Sequence, residues 1–130
     1  MLILDQRGAL SDEWKKVEEI INVVLFEPEK VEAEKLEQSA TMNTTVIPKA
    51  VWSFKGKVKF NTTRNASYSS VLKPDSKVLD GTNYYARNFY EIDDISEIDV
   101  DILEDVLQHH NVGQIDFLKI DIQGAENYVF

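Results

Sequence analysis

Phe117-Leu118-Lys119-Ile120-Asp121-Ile122-Gln123-Gly124-Ala125-Glu126 is an apolar run that closes on an acid and then on a Gly-Ala-Glu turn. It reads as a fully buried strand with Asp121 at its carboxyl end. Open α/β sheets bind ligands in the crevice beyond the strand carboxyl ends, so a carboxylate delivered there marks a candidate site. Val23-Val24-Leu25-Phe26-Glu27-Pro28 repeats the plan nearer the amino end: an apolar run, one acid, then a break. Two strands that each hand a carboxylate to one edge point to a nucleotide-type pocket, with Glu27 and Asp121 as its acids.

Working outward, Leu2-Ile3-Leu4 reads as a first strand and Asp5-Gln6-Arg7-Gly8 as the turn after it. Ser11 suits an N-cap, and Trp14, Val17, Ile20 and Ile21 recur at helical spacing, which predicts a helix over 12–21. Val23–Phe26 is the second strand. Pro28 suits a first helical position, where its missing N–H is not needed, and a charged helix over 29–38 turns Ala33, Leu36 and Ala40 inward. This β-α-β-α beginning is the pattern of a parallel sheet with helical crossovers.

The middle changes character. Thr44–Ile47 and Ala50–Phe54 read as strand, interrupted at Pro48, which argues for an edge, a bulge or a strand end. Lys55-Gly56 reads as a turn and Lys57–Asn61 as its returning strand, so a hairpin is expected. Residues 61–88 are polar without a clear period and read as a long loop. A strand is expected within 91–100 and a helix over 101–110, with Ile102, Leu103, Val106 and Leu107 inward and Gly113 as its left-handed cap. His109 and His110 complement the helix dipole there. The decisive strand occupies 115–120, and Gly124 opens a last helical element. The fold class is α/β, in a single domain over 1–130 that reads as incomplete at its carboxyl end.

Composition narrows the function classes. The 130 residues are enough for one layered core. With 23 acids against 14 bases and a net charge of -9, no basic stripe offers itself to a phosphate backbone, and a nucleic-acid partner is disfavoured. Cysteine is absent, so there is no disulfide framework and no thiolate metal site; no other metal spacing stands out. No apolar run approaches the roughly 20 residues that cross a bilayer. Met1-Leu2-Ile3-Leu4-Asp5 lacks the basic region and the length of a secretory signal. The expectation is a cytoplasmic protein with no membrane partner. No G-x-G-x-x-G follows the first strand, which weakens a dehydrogenase reading.

Taken together, these residues resemble the FkbM family of S-adenosylmethionine-dependent methyltransferases. Ile115–Glu126 is similar to that family's "idflKiD-x-qGaE" signature. Phe26-Glu27-Pro28, Ala50-Val51-Trp52-Ser53, Ser69-Ser70-Val71-Leu72 and Ile102–Leu107 match further family patterns in family order. The family's glycine-bearing first turn appears here as Ile3–Leu10, with Asp5 at the place of its first glycine. The resemblance implies a mostly parallel, Rossmann-like class I methyltransferase sheet, truncated at the C-terminal end, and S-adenosyl-L-methionine as cofactor. It implies O-methylation of a small-molecule or sugar hydroxyl; the alternative is a catalytically inactive methyltransferase-like binding module or fragment.

By the same resemblance, Glu27 receives the cofactor ribose, while Asp5 and Gly8 approach its methionine part. Asp121 faces the transferred methyl, as a general base toward the acceptor hydroxyl or as a contact to the sulfonium side. Ser69, Ser70 and Glu126 are expected on the acceptor side, with no metal. The bland readings are a helix-start acid for Glu27, an N-cap for Asp121, a first-turn acid for Glu126 and a solvated loop for the two serines. Trp14 and Trp52 read as packing residues. An uncovered sheet edge makes a homo-oligomer possible.

Overall fold

Apolar runs become neighbouring strands when their backbones lie level, and here the order of that pairing positions the site. The computed structural model describes residues 2–5, 12–17 and 19–129. The chain forms β1 (Leu2–Asp5), α1 (Asp12–Lys15), β2 (Val23–Phe26), α2 (Lys30–Ser39) and β3 (Thr44–Ile47). β4 (Ala50–Val51) and β5 (Gly56–Thr63) follow, then a 3-10 turn at Ala66–Tyr68, α3 (Ser76–Asp80) and α4 (Tyr84–Phe89). β6 (Ile92–Asp101), α5 (Leu103–His109), β7 (Leu118–Asp121) and a 3-10 turn at Glu126–Tyr128 come last.

One sheet has the order β3-β2-β1-β7, with every neighbouring pair parallel. β2 is buried throughout and shows why its sequence is an unbroken apolar run. Val24 and Phe26 pack on one face with Ile47, Leu103, Val106 and Val129, so α5 covers that side. Val23 and Leu25 pack on the other with Trp14, Ile21 and Val46. Each such side chain contributes about 1.5–3 kcal/mol on leaving water.

The other sheet is mixed, in the order β4-β6-β5. Pro48 ends β3, and the chain turns there, with the Lys49 N–H donating to the Ile47 carbonyl at 2.8 Å. It then enters the second sheet, where Ala50 and Val51 pair parallel with Val100 and Asp101 of β6. The expected hairpin between Ala50–Phe54 and Lys57–Asn61 does not form. β6 lies between them and pairs antiparallel with β5 from Gly56↔Val100 to Thr63↔Ile92. A longer ladder of cross-strand pairs outweighs the shorter loop.

Other expectations are also revised. α1 ends at Lys15, and two tight turns, Val17 N–H to Trp14 and Ile20 N–H to Val17, replace the rest of the helix over 12–21. So short a helix has little stability of its own and follows its packing; Ile20 faces solvent, while Trp14 and Ile21 reach β2. Ser11 and Gly8 lie outside the described residues. Pro28 precedes the N-cap Glu29 rather than opening α2, and Ala33 alone of the expected stripe is fully buried. The segment 61–88 is not one loop: β5 runs into it, and Asp75 caps α3 by accepting from the Lys77 N–H at 2.9 Å.

β7 is the outer strand of its sheet among the described residues. It is half exposed rather than fully buried, and it begins at Leu118 rather than 115. The left-handed cap after α5 is Asn111, with φ 54, not Gly113. Asn tolerates that region, and the two bonds of a Schellman ending close the helix, Val112 N–H to Leu107 at 2.8 Å and Asn111 N–H to Gln108 at 3.1 Å.

Ile47 is buried where the sheet meets α5, whereas Met42 is fully exposed. Ile47→Ala should lower stability in urea unfolding by about 2–5 kcal/mol, and Met42→Ala should stay within about 0.5 kcal/mol.

Candidate active site at the carboxyl rim

The register of the parallel sheet sets the acids side by side. Leu4 of β1 is level with Phe26 of β2 and with Ile120 of β7, and Asp5 is level with Asp121. Glu27 follows Phe26 and extends the ladder, its backbone N–H donating to the Ile47 carbonyl at 3.0 Å. Positions 5, 27 and 121 therefore form one row at the carboxyl rim. Strand alternation assigns 27 and 121 to the same face. Gly8, expected in the adjoining turn, lies outside the described residues.

Glu27 is only 2% exposed, so it is not the surface acid that its bland reading supposes. Its Oε1 accepts from the Glu29 N–H at 2.9 Å, just ahead of α2. A buried carboxylate needs such donors to offset lost hydration. Asp121 is half exposed; its Oδ1 accepts from Gln123 Nε2 at 3.2 Å, and its Oδ2 lies 3.5 Å from Lys119 Nζ.

Glu126, not Asp121, closes the turn that follows. Its Oε1 accepts from the Ile122 N–H at 3.1 Å and the Gly124 N–H at 3.2 Å. Burial pushes its carboxyl up, but the backbone N–H groups of Glu126, Ile122 and Gly124 outweigh that and hold it below the ordinary 4.5. Ser69 and Ser70 are buried. Ser69 Oγ accepts from the Thr63 N–H at 3.1 Å; Ser70 Oγ accepts from the Leu72 N–H at 3.1 Å and donates to the Gln123 carbonyl at 3.2 Å. The three side chains expected on the acceptor side thus bond to backbone, and none lines the apolar cleft that the structure forms nearby.

That cleft lies between the two sheets and is lined almost wholly by apolar side chains. Phe26 and Pro28, which flank Glu27, line it together with Ile122, which follows Asp121, and with Trp52, Phe60 and Ile98 of the second sheet. Trp52 also stacks on Tyr128 with ring centroids 4.6 Å apart. Sequence reasoning missed this wall, because Trp52 and Phe60 meet only through β6, which lies far along the chain.

A family model of the methyltransferase FkbM domain matches residues 10–130. The chain belongs to the FkbM methyltransferase family. No curated protein and no solved structure shows a significant match. The FkbM domain is a methyltransferase, an enzyme class whose members in this family generally use S-adenosylmethionine. No helix among the described residues is long and apolar enough to cross a membrane.

The FkbM domain has one further acid of note. Asp101, buried at the end of β6, accepts from Lys49 Nζ at 2.8 Å through Oδ2, with Lys55 Nζ at 3.8 Å, and from the Ile102 N–H at 3.1 Å through Oδ1. The Lys49 hydrogen bond holds its carboxyl below the ordinary 3.8 against the opposing effect of burial. This clamp joins the turn after β3 to the start of α5 and sets Lys49 on the cleft wall.

Both depressed acids contribute stability that is present above the ordinary carboxylate values and is lost as pH falls through the lower folded ones. Glu126→Gln should therefore melt below the parent at pH 7. The gap should narrow as pH falls from about 5 toward 2, measured by thermal unfolding. A gap that does not change with pH contradicts the role given to the Glu126 charge.

Proposed function

We propose that this chain binds S-adenosylmethionine along the carboxyl rim of β2, β1 and β7, in a Rossmann-like class I sheet, and O-methylates a small-molecule or sugar hydroxyl. The observation that carries this reading is the level row formed by positions 27 and 121, with Glu27 buried between Phe26 and Pro28, two residues that line the apolar cleft. The all-parallel order β3-β2-β1-β7 supports the sheet assignment.

The residues present fit the cofactor. A carboxylate accepts two hydrogen bonds from a vicinal diol, which suits Glu27 to the ribose. The neighbouring apolar walls favour a flat ring that gains by leaving water, which suits the adenine. When bound, the cofactor supplies an electrophilic methyl group on a sulfonium.

Asp121, half exposed at the same rim, has two tasks in this reading. Its negative charge favours the cationic sulfonium, and its carboxylate can take the proton of an acceptor hydroxyl held against it. Gln123 Nε2 and Lys119 orient that carboxylate without burying it. Holding nucleophile and electrophile in line supplies much of the rate in such a displacement. The net charge of -9 supports a small-molecule acceptor over a nucleic acid.

Calorimetry with S-adenosylmethionine and with its demethylated product, S-adenosylhomocysteine, tests the reading. Both should bind with Kd values of roughly micromolar order. Glu27→Ala should weaken both by about tenfold or more, equivalent to about 1.4 kcal/mol. Asp121→Asn should weaken the sulfonium ligand several-fold while sparing the neutral thioether. Absence of heat with either ligand rejects the proposal.

A further inference from the structure

We infer that Asn61 and Ser70 form a latch that positions Asp121, acting through Gln123. The inference rests on the reading of Asp121 as a site acid, and it gives the polar segment after β5 a task that no sequence pattern assigns.

The latch begins at Asn61, which is 1% exposed. Asn61 and Ser70 exchange both backbone hydrogen bonds, at 2.9 and 3.0 Å. The Asn61 side chain adds two more, Nδ2 donating to the Ser70 carbonyl at 3.0 Å and to the Val71 carbonyl at 3.3 Å. Its Oδ1 is buried without a hydrogen-bond partner among the described residues. Leaving a buried acceptor unsatisfied is costly, so the amide is a poor choice for stability alone. Its value lies in the donors, which fix Ser70 from two directions.

Ser70 then reaches across the fold. Its Oγ donates to the carbonyl of Gln123, 53 positions along the chain, at 3.2 Å. Leu72 backs the same turn, standing 3.7 Å from the point where a Cβ on Gly124 would lie. The turn needs support, because Gln123 has φ 54 and Gly124 has φ 91. A left-handed conformation at a residue other than glycine persists only where its surroundings hold it.

Gln123 is also the residue whose Nε2 donates to Asp121 Oδ1 at 3.2 Å. The hydroxyl that fixes the Gln123 peptide thereby fixes the root of the side chain that orients the carboxylate. Glu126 supports the neighbouring Ile122 and Gly124 N–H groups from within the turn, whereas the bond to the Gln123 carbonyl comes from Ser70. Ser70 is therefore a positioning residue for Asp121, and Asn61 is its anchor.

The test compares Ser70→Ala, Ser70→Thr and Asp121→Asn by the ratio of S-adenosylmethionine to S-adenosylhomocysteine affinity. Ser70→Ala should lower that ratio several-fold, as Asp121→Asn does. The double variant should fall no further than Asp121→Asn alone, because the serine acts through the acid. Ser70→Thr, which keeps the hydroxyl, should restore the ratio. An unchanged ratio in Ser70→Ala, or losses that simply add in the double variant, overturns the latch. Ser70→Cys, close in shape but a weak donor, replaces Ser70→Ala if the alanine variant does not fold, with the same expected direction. If neither ligand binds the parent chain, the cofactor reading has failed, and amide hydrogen exchange at Ile122 and Gly124 decides the latch separately. Faster exchange in Ser70→Ala with parental rates in Ser70→Thr supports it, and equal rates in all three proteins overturn it.

Discussion

In a parallel sheet the backbone hydrogen bonds decide which residues stand level, and side chains inherit their places from that register. Here β1 is the ruler: Leu4 is level with Phe26 on one side and Ile120 on the other. Because both flanking strands are aligned to the same residue, the acids that follow them reach one rim together. A slip of one residue in either strand would send its acid to the opposite face. The apolar side chains enforce the register. Val24 and Phe26 must face α5 while Val23 and Leu25 face Trp14 and Ile21, and a one-residue slip would reverse both sides.

Around that rim, the chain uses its polar groups to hold backbone. Ile47 offers one carbonyl to the Glu27 N–H and to the Lys49 N–H, so a single group ends β2 and β3 together and begins the crossing to the second sheet. Glu126 folds back onto the turn after β7, and Asp101 ties Lys49 to the start of α5. Each acid sits beside donors that favour its charged form, which explains why both lie below their ordinary range. Asp121 is left half exposed, as its proposed contact with a ligand requires.

What the sequence revealed follows the same physics. β2 and β3 were legible to the residue, since a strand buried on both faces or ended by Pro48 leaves an unbroken local signal. The hairpin was misread because the partner of β5 lies some thirty residues on, and nothing local distinguishes β4 from β6 as a neighbour. Asn111 took the cap expected of Gly113 because the Schellman bonds depend on where α5 stops, not on where the nearest glycine stands. Glu27 and Asp121 could be placed on one rim from the strand pattern. The tasks of Ser70 and Glu126 could not, since both bond to backbone that only tertiary structure brings close. The apolar cleft was hidden for the same reason, its walls coming from both sheets.

In the proposed reading, register supplies the acids, the second sheet supplies an apolar wall, and buried hydrogen bonds hold the turn after β7. The most direct measurement is a crystal structure of the chain with S-adenosylhomocysteine. The account predicts the ribose hydroxyls against the Glu27 carboxylate, the adenine against the cleft of Phe26, Pro28 and Trp52, and the sulfur on the Asp121 side of the rim. A ligand bound at the amino ends of the strands, or with its ribose away from Glu27, would contradict it.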